Sequence, residues 1–285
     1  MPEALPPLRE VIADAGLSAR KSLGQHFLFD MNLNRRIARA VPGLKGAVAF
    51  EVGPGPGGLT RALLEEGAGK VVAVEADPRC EAALDQLARA FPNRFSYRLA
   101  DALAFDEARL LSSESGPVHV VANLPYNVGS PLLVKWLTAE AWLPWYRSLT
   151  LMFQKEVATR IVAAPGGKAY GRLSVLAQWR AEARKLFDVP AAAFTPPPKV
   201  ASSVIQIVPG APCAEGVNVG DLVRILAAAF GKRRKMLRRA LADLVEDAET
   251  LLSQAGLDGR RRAESLTPEE FCVLAKALGP AGGSP

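Results

Sequence analysis

The first three-quarters of the chain alternates short apolar runs with segments whose apolar residues recur at helical spacing. Five runs predict strands, at 47–52, 70–75, 95–99, 119–123 and 148–153. Segments with the periodicity of helices follow four of them, at 59–64, 78–90, 131–137 and 156–163. Buried strands that alternate with helices form parallel sheets covered on both faces, so the pattern predicts an α/β, doubly wound fold.

The pattern changes on both sides of this region. Residues 1–20 predict a partly flexible lead-in with at most one short helix, and a helix follows that Asp30 can cap and Pro42-Gly43 can end. An alternating run at 203–208 predicts the strand that closes the sheet. After a Pro-rich linker, helical spacing recurs at 222–230, 236–244 and 271–278. We therefore expect two domains, 1–211 and a small all-helical domain at 212–285.

Composition narrows the class of protein. The chain has 285 residues, of which 49% are hydrophobic, which is enough for one large core and a smaller one. The three cysteines are widely spaced and contain no CxxC pair, so we expect neither a disulfide framework nor a metal site. No uncharged apolar run reaches membrane-spanning length, which favours a soluble, cytoplasmic protein without membrane contact.

A glycine-rich loop follows the first predicted strand of the sheet, with the sequence Glu51-Val-Gly53-Pro-Gly55-Pro-Gly-Gly58. Glycines at such a turn let the backbone approach a ligand closely. The loop also satisfies the dinucleotide fingerprint, and Glu75 could hold a ribose in either case. Glu51 suits a cationic amine such as that of S-adenosylmethionine, and Asp101 suits the amine of an adenine.

The pentad Asn123-Leu-Pro-Tyr-Asn127 ends the fourth predicted strand. The exocyclic nitrogen of adenine is a poor nucleophile because its lone pair is delocalised into the ring. The Asn123 amide oxygen and the Leu124 carbonyl can accept hydrogen bonds from that nitrogen, and Tyr126 can stack on an extruded base. Together with the glycine loop, the pentad predicts an adenine N-methyltransferase.

Eight segments in order resemble the KsgA-type ribosomal RNA adenine dimethyltransferases, over nearly the whole chain. The segments are Lys21-Ser-Leu-Gly-Gln-His-Phe-Leu28, Glu51-Val-Gly-Pro-Gly55, Val74-Glu-Ala-Asp77, Asp101-Ala102, Asn123-Leu-Pro-Tyr-Asn127, Lys168-Ala-Tyr-Gly-Arg-Leu-Ser174, Phe194-Thr-Pro-Pro-Pro-Lys-Val200 and Phe230-Gly-Lys-Arg-Arg-Lys235. The resemblance implies a Rossmann-like S-adenosylmethionine-dependent methyltransferase sheet. It also implies dimethylation of two adjacent adenosines in the 3′-terminal hairpin of 16S rRNA, within the small subunit, during ribosome biogenesis.

The resemblance further implies the roles of individual residues. The cofactor is implied to contact residues of the N-terminal motif, the glycine loop and the strand ends, namely His26, Leu28, Gly53, Gly55, Glu75, Asp101, Ala102 and Asn123. The target adenine is implied to contact Asn123, Leu124 and Tyr126, with Phe194 on its other face. Phe194 precedes a Pro-rich turn, and we expect its ring to be exposed. Bacterial members of the family usually have Asn where His26 stands.

A cluster of six cations with no intervening acid favours a polyanionic partner, although the net charge is only +6. Its members are Lys232, Arg233, Arg234, Lys235, Arg238 and Arg239. We expect the cluster to lie on the outer face of a basic helix that opens the C-terminal domain, and to contact the RNA backbone. We also expect the protein to be a monomer. Three alternatives stay open: a 23S rRNA adenine methyltransferase of the macrolide-resistance type, a noncatalytic RNA- or DNA-binding factor, and a nicotinamide dehydrogenase.

Overall fold

A computed structural model describes residues 5–14, 16–17 and 25–279. Part of the predicted lead-in, and residues 21–24 of the first matching segment, lie outside these ranges. Nine strands occur in the described residues: β1 (Phe27–Leu28), β2 (Val48–Val52), β3 (Lys70–Glu75), β4 (Phe95–Leu99), β5 (Val118–Asn123), β6 (Ser148–Gln154), β7 (Ala181–Val189), β8 (Phe194–Thr195) and β9 (Ser202–Pro209). All five strands predicted for the α/β region are therefore present.

The α-helices of the described residues alternate with these strands and then dominate the C-terminal part. They are α1 (Leu8–Asp14), α2 (Met31–Arg39), α3 (Gly58–Glu65), α4 (Glu81–Ala90), α5 (Glu107–Leu111), α6 (Gly129–Leu137), α7 (Lys155–Ile161), α8 (Arg172–Arg180), α9 (Val219–Gly231), α10 (Leu237–Ala240), α11 (Ala248–Gln254) and α12 (Pro268–Leu278). Asp30 caps α2 as predicted, because its side chain accepts from the backbone N–H groups of Asn32 and Leu33. None of the helices described is long and apolar enough to cross a membrane.

Seven strands form one sheet in the order β4-β3-β2-β5-β6-β9-β7. The neighbours from β4 to β6 pair in parallel, whereas β9 pairs antiparallel with β6. The strand predicted at 203–208 is present as β9 and is the last strand of the sheet in chain order, but β7, which was not predicted, forms the edge beside it. The sequence of β7, Ala-Glu-Ala-Arg-Lys-Leu-Phe-Asp-Val, is rich in charge, and an edge strand tolerates charge because one of its sides faces solvent.

A second sheet pairs β1 with β8, so that Leu28 lies opposite Phe194. Both side chains belong to the buried cluster that also contains apolar residues of β2, β3, α3 and α4. The core of the α/β region therefore anchors the segment that leads into α2. This anchoring brings His26, next to β1, to the end of the central strands.

Two compact units divide the chain. The first comprises 1–135, 144–158 and 184–208, and the second comprises 136–143, 159–183 and 209–285. The predicted continuous domain 1–211 is a simplification, because the helical unit also takes residues 159–183. The reason is packing: α8 contacts α9 and α12, and the Tyr170 ring lies 6.1 Å from that of Phe230, which lies 5.5 Å from that of Phe271.

The helix predicted at 236–244 is also shorter than expected. Only Leu237–Ala240 is α-helical, and a 3₁₀ turn at Leu241–Asp243 follows it. Residues 232–236 form turns rather than a helix. The predicted basic cluster therefore lies mostly on a turn between α9 and α10.

Candidate active site

The C-terminal ends of β2, β3 and β5 carry most of the predicted site. These strands are neighbours and run parallel, so their ends meet at one edge of the sheet, where open α/β sheets bind ligands. Two adjoining cavities open at this edge. The first is lined by His26, Leu28, Glu51, Gly53, Asn123 and Tyr126, among others. The second is lined by Glu75, Asp77, Asp101, Ala102, Leu103 and Val128, among others.

The glycine loop requires glycine where it lines the first cavity. Gly53 and Gly55 have φ values of 69° and 55°, in the left-handed region that other residues rarely adopt. The Gly53 N–H donates to the Val74 carbonyl at 2.9 Å, and the Gly55 N–H donates to Glu75 Oε2 at 2.9 Å. The loop is thus tied to the neighbouring strand through backbone and side chain.

Glu75 joins the two cavities and lines both. Its second oxygen, Oε1, accepts from the Asp77 N–H at 2.8 Å, and burial raises the pKa of its carboxyl. Each carboxylate oxygen has a further lone pair, so the side chain can still accept from hydroxyl groups such as those of a ribose.

Asp77, which follows β3, connects this strand to the segment that leads into β1. Arg79 and Gln25 both donate to its carboxylate, the latter from Nε2 at 2.8 Å, and the hydrogen bonds from Arg79 are the main reason why its pKa falls to about 2. The sequence did not single out Gln25, although it stands within the first matching segment.

Glu51 presents a buried carboxyl to the first cavity. The residue is 1% exposed, and its Oε2 accepts from Thr60 Oγ1 at 2.6 Å. Burial raises the pKa of Glu51 to about 8. A carboxyl held in this way stabilises a cation that enters the cavity, because the cation would replace the lost hydration of the carboxylate. The carboxyl oxygens of Glu51 and Glu75 are acceptors, and they therefore fit the ammonium and hydroxyl groups of S-adenosylmethionine.

Asn123 is the last residue of β5, and one hydrogen bond orients its side-chain amide. Its Nδ2 donates to the His26 carbonyl at 3.4 Å, which leaves Oδ1 as the free acceptor of the amide. His26 is in turn fixed, because its Nδ1–H donates to the Pro196 carbonyl at 2.8 Å. The segment before β1 therefore orients the residue that was predicted to contact the target base.

Tyr126 lies beside His26, with the two ring centroids 5.2 Å apart. Its phenol oxygen is 2.9 Å from Ser202 Oγ, and burial raises the pKa of the phenol. Leu124 directs its side chain into the core, where it is 2% exposed. The turn continues into α6 because the Val128 and Gly129 N–H groups donate to the Pro125 carbonyl. Ser202 stands at the start of β9, and nothing in the sequence predicted its contact with Tyr126.

Phe194 differs from its prediction. The side chain is 3% exposed and belongs to the core, so the expected exposure is wrong. Pairing of β8 with β1 turns the ring inward beside Leu28. A stacking role for Phe194 would require the ring to leave this core.

Asp101 and Ala102 line the second cavity together. Asp101 is exposed, and its Oδ1 accepts from the Leu103 N–H at 2.9 Å. The structure therefore gathers the predicted cofactor residues around two adjoining cavities, and it separates Phe194 from them. Their roles toward a ligand stay predictions.

The basic cluster, in the helical unit, contains two kinds of cation. Lys232 pairs with Asp243, Arg238 with Glu249 and Arg233 with Glu264. Arg233 also donates to the carbonyls of Gly167 and Lys168, at 3.3 and 2.7 Å. In contrast, the side chains of the exposed residues Arg234, Lys235 and Arg239 make no hydrogen bond or ion pair with the described part of the chain. The unpaired cations are the ones available to an anionic partner.

The fold and the sheet-edge cavities define a Rossmann-like protein with a site for a nucleotide-like cofactor, and an acidic residue stands at or next to the end of both β2 and β3. Comparison with known proteins identifies the family. The family model for ribosomal RNA adenine dimethylase matches residues 16–279. The chain therefore belongs to the ribosomal RNA adenine dimethylase family, and the match excludes the dehydrogenase alternative.

Curated relatives cover almost the whole chain. The ribosomal RNA small subunit methyltransferase A of Chelativorans sp. (strain BNC1) is 58% identical over 276 residues, which are 97% of this chain and 99% of the relative. The protein of the same name from Azorhizobium caulinodans is 57% identical, over 98% of this chain and 95% of the relative.

Solved structures show the same fold. A dimethyladenosine transferase from Plasmodium falciparum has a TM-score of 0.71 at 24% identity and covers 87% of this chain and 96% of its own. The 23S rRNA methyltransferase ErmE has a TM-score of 0.61 at 25% identity, over 89% of this chain and 100% of its own.

Proposed function

We propose that the protein is an S-adenosylmethionine-dependent rRNA adenine N6,N6-dimethyltransferase. Its substrate is the small-subunit 16S rRNA, and its targets are two adjacent adenosines in the 3′-terminal hairpin, modified during ribosome biogenesis. The curated relatives at 53–58% identity, all named ribosomal RNA small subunit methyltransferase A, support this substrate. The proposed setting is the cytoplasm, and the proposed form is a monomer.

The orientation of Asn123 is the single observation that carries the proposed chemistry. The bond from Nδ2 to the His26 carbonyl leaves Oδ1 as an acceptor beside the first cavity. A second acceptor, the Leu124 carbonyl, follows directly in the chain. Two such acceptors can bind the two N–H groups of an adenine amine and favour a pyramidal nitrogen, whose lone pair then becomes available.

This mechanism uses positioning and polar preorganisation rather than a strong base. S-adenosylmethionine, when bound, supplies an electrophilic methyl group. Glu51 would hold its ammonium, Glu75 its ribose hydroxyls and Asp101 the amine of its adenine. The target nitrogen loses its proton to water after it has gained the methyl group, so no side chain has to remove the proton beforehand.

Tyr126 supplies a ring on which the extruded target base can stack. The hydrogen bond with Ser202 and the adjacent His26 ring hold this platform in place. Prior orientation lowers the entropy lost when the base binds.

Cations of the basic cluster are the proposed contacts to the RNA backbone. Phosphate contacts release counterions and fix the register of a protein on RNA without reading sequence. Of the six members, Arg234, Lys235 and Arg239 are the strongest candidates, since the other three already have acidic partners.

Labelled S-adenosylmethionine tests the proposal with unmethylated small subunits, large subunits and free rRNA as acceptors. We expect N6,N6-dimethyladenosine at two adjacent positions of 16S rRNA from small subunits. The likeness to ErmE makes 23S rRNA the second candidate, and label on large-subunit RNA alone would favour it. No label on any acceptor, with the RNA still bound, would favour a noncatalytic assembly factor.

A further inference from the structure

We propose that Lys135 is a positioning residue for S-adenosylmethionine, which acts through the loop of residues 100–106. This inference rests on the proposed function, because it concerns the same cofactor cavity. Lys135 stands on α6, and its side chain makes no part of the cavity lining. Its role is to hold the wall that the loop supplies.

The ammonium group of Lys135 has a full set of acceptors. Nζ donates to the Ala102 carbonyl at 2.9 Å and to the Phe105 carbonyl at 2.5 Å. It also contacts both carboxylate oxygens of Glu107, at 2.9 and 2.8 Å. Lysine has three N–H donors, and two carbonyls and one carboxylate use all of them.

Burial of the Glu107 carboxylate makes its pairing with Lys135 important. The Glu107 side chain is 4% exposed, whereas that of Lys135 is 31% exposed. A carboxylate at such a depth requires a nearby cation, because it has lost most of its hydration. Lys135 thus balances the charge of Glu107 and satisfies two loop carbonyls at the same time.

The loop that Lys135 holds carries three residues of the second cavity, Asp101, Ala102 and Leu103. Locally the loop is closed by short turns, in which the N–H groups of Leu103 and Ala104 donate to Asp101. The bonds from Lys135 add a tie between this loop and α6. Helix α6 also contributes Leu132, one turn before Lys135, to the cavity lining. Helix α6 therefore forms one part of the wall and holds another part, the loop, in place.

Loss of the tie should affect binding rather than methyl transfer. Without Lys135 the two carbonyls can turn to solvent, and the loop no longer keeps one distance from α6. Asn123, which stands on β5, would keep its bond to the His26 carbonyl. The cofactor should therefore bind more weakly, while turnover at saturating cofactor stays near the wild-type value.

The test measures cofactor affinity by isothermal titration calorimetry, without RNA. For Lys135→Met we expect the Kd of S-adenosylmethionine to rise about tenfold or more, because one wall of the cavity is no longer held in place. We also expect faster amide hydrogen exchange across 100–106 and a kcat within about twofold of wild type at saturating cofactor.

Lys70→Met is the matched control. Lys70 has the same side-chain exposure, 31%, and pairs with Glu114, but neither residue lines the cofactor cavities. This variant should bind the cofactor with wild-type affinity. An equal rise in Kd for both lysine variants would overturn the proposal, because it would show a general loss of stability.

A double variant separates positioning from folding. Glu107→Leu combined with Lys135→Met removes the buried charge together with its partner, so the melting temperature should recover toward wild type. The Kd should stay raised, since the two carbonyls still lack their donor. Wild-type affinity in the double variant, or in Lys135→Met itself, would contradict the proposed role.

The same titration keeps the two proposals distinguishable. A wild-type protein that binds the cofactor but methylates no RNA would count against the proposed function, whereas the comparison of Kd values would still decide the role of Lys135.

Discussion

The sheet-edge site, formed by the residues that line the two cavities, and the basic turn, residues 232–239, hold their polar groups in opposite ways. At the sheet edge, Glu51 and Glu75 are 1% and 6% exposed, and neighbouring groups fix their orientation. On the basic turn most cations are exposed, and three of the six have no partner in the described chain. Buried polar groups that their neighbours hold in place can orient a ligand. Exposed cations attract an anionic partner, and this attraction weakens as the salt concentration rises. This contrast supports the proposal that the sheet edge carries the chemistry and that the basic turn contributes to RNA affinity.

The largest effect is expected from Asn123→Ala. Removal of Oδ1 takes away one of the two acceptors for the target amine, so kcat should fall by about 10²–10³-fold, as for the loss of one preorganised polar group in other active sites. Affinity for the small subunit should change little. Methyl incorporation and subunit binding are measured in parallel, with Asn32→Ala, an exposed asparagine on α2, as the control. Retained turnover would remove Asn123 from the mechanism.

The next effect concerns the basic turn. Replacement of Arg234, Lys235 and Arg239 with Ala should weaken RNA binding by about ten- to a hundredfold at about 0.15 M salt, and should lower the slope of log K against log salt by about 0.9 for each phosphate that is no longer neutralised. Turnover at saturating RNA should stay near that of wild type.

A second triple variant tests whether cations with acidic partners contribute less to RNA binding than cations without them. Lys232, Arg238 and Arg260 are exposed, and each pairs with an acid. Their replacement with Ala changes the net charge by the same amount but should lower the slope less. Equal slopes for the two triple variants would show that pairing does not decide which cations contact RNA.

Glu51 should make the stability of the folded protein depend on pH. Its pKa is about 8 in the folded protein, against about 4.3 for an unperturbed glutamate. Between these values the folded state binds one proton more than the unfolded state, so this residue makes stability fall as pH rises from about 5 to 8. Glu51→Gln should remove that part of the pH dependence. Urea midpoints at several pH values measure it, and Glu81→Gln, exposed on α4, is the control.

Through Glu51, cofactor affinity should rise with pH, whereas the stability of the fold should fall. In the proposed role Glu51 binds the ammonium of the cofactor as a carboxylate, so binding below pH 8 should release the proton of Glu51. Affinity should therefore rise by up to about tenfold per pH unit and level off above the pKa. In Glu51→Gln, affinity should be weaker by about tenfold at pH 8 and independent of this proton. Calorimetry in buffers of different ionisation heat measures proton release, and its absence in wild type would contradict this assignment.

The smallest effect is expected from Ser202→Ala. Loss of its hydrogen bond to the Tyr126 phenol should raise the KM for RNA about fivefold, in line with about 1 kcal/mol for one hydrogen bond. Tyr126→Phe should give a similar value, because it removes the other partner of the same bond. Ser203→Ala, whose Oγ donates to Asp188 instead, should leave the KM unchanged.

Sequence patterns located the sheet-edge site because its residues follow strands directly. Gly53, Glu75 and Asn123 each stand at or just after a strand end, and parallel strands bring such positions together. The residues that support Tyr126 and the loop of residues 100–106 were not predictable in the same way. Ser202, Lys135 and Glu107 act through contacts between distant segments, and nothing in their local sequence distinguishes them from ordinary serine, lysine or glutamate.

Two other failures have a common physical origin. The charged strand β7 was not predicted, and the ring of Phe194 was wrongly predicted to be exposed, because local composition does not report tertiary pairing. The strand forms an edge of the seven-stranded sheet, and the ring turns inward through the pairing of β8 with β1. The basic turn shows the same limit. Its six clustered cations look equivalent in the sequence, and only the structure shows that acids of other segments pair with three of them.

Single-turnover methyl transfer at saturating cofactor and saturating RNA tests the division between the two regions most directly. The wild type, Asn123→Ala and the Arg234, Lys235 and Arg239 triple variant are compared in one rapid-quench experiment. We expect the rate constant to fall by about 10²–10³-fold in Asn123→Ala and to stay within about twofold of wild type in the triple variant. Equal loss in both variants, or loss in the triple variant alone, would contradict the account.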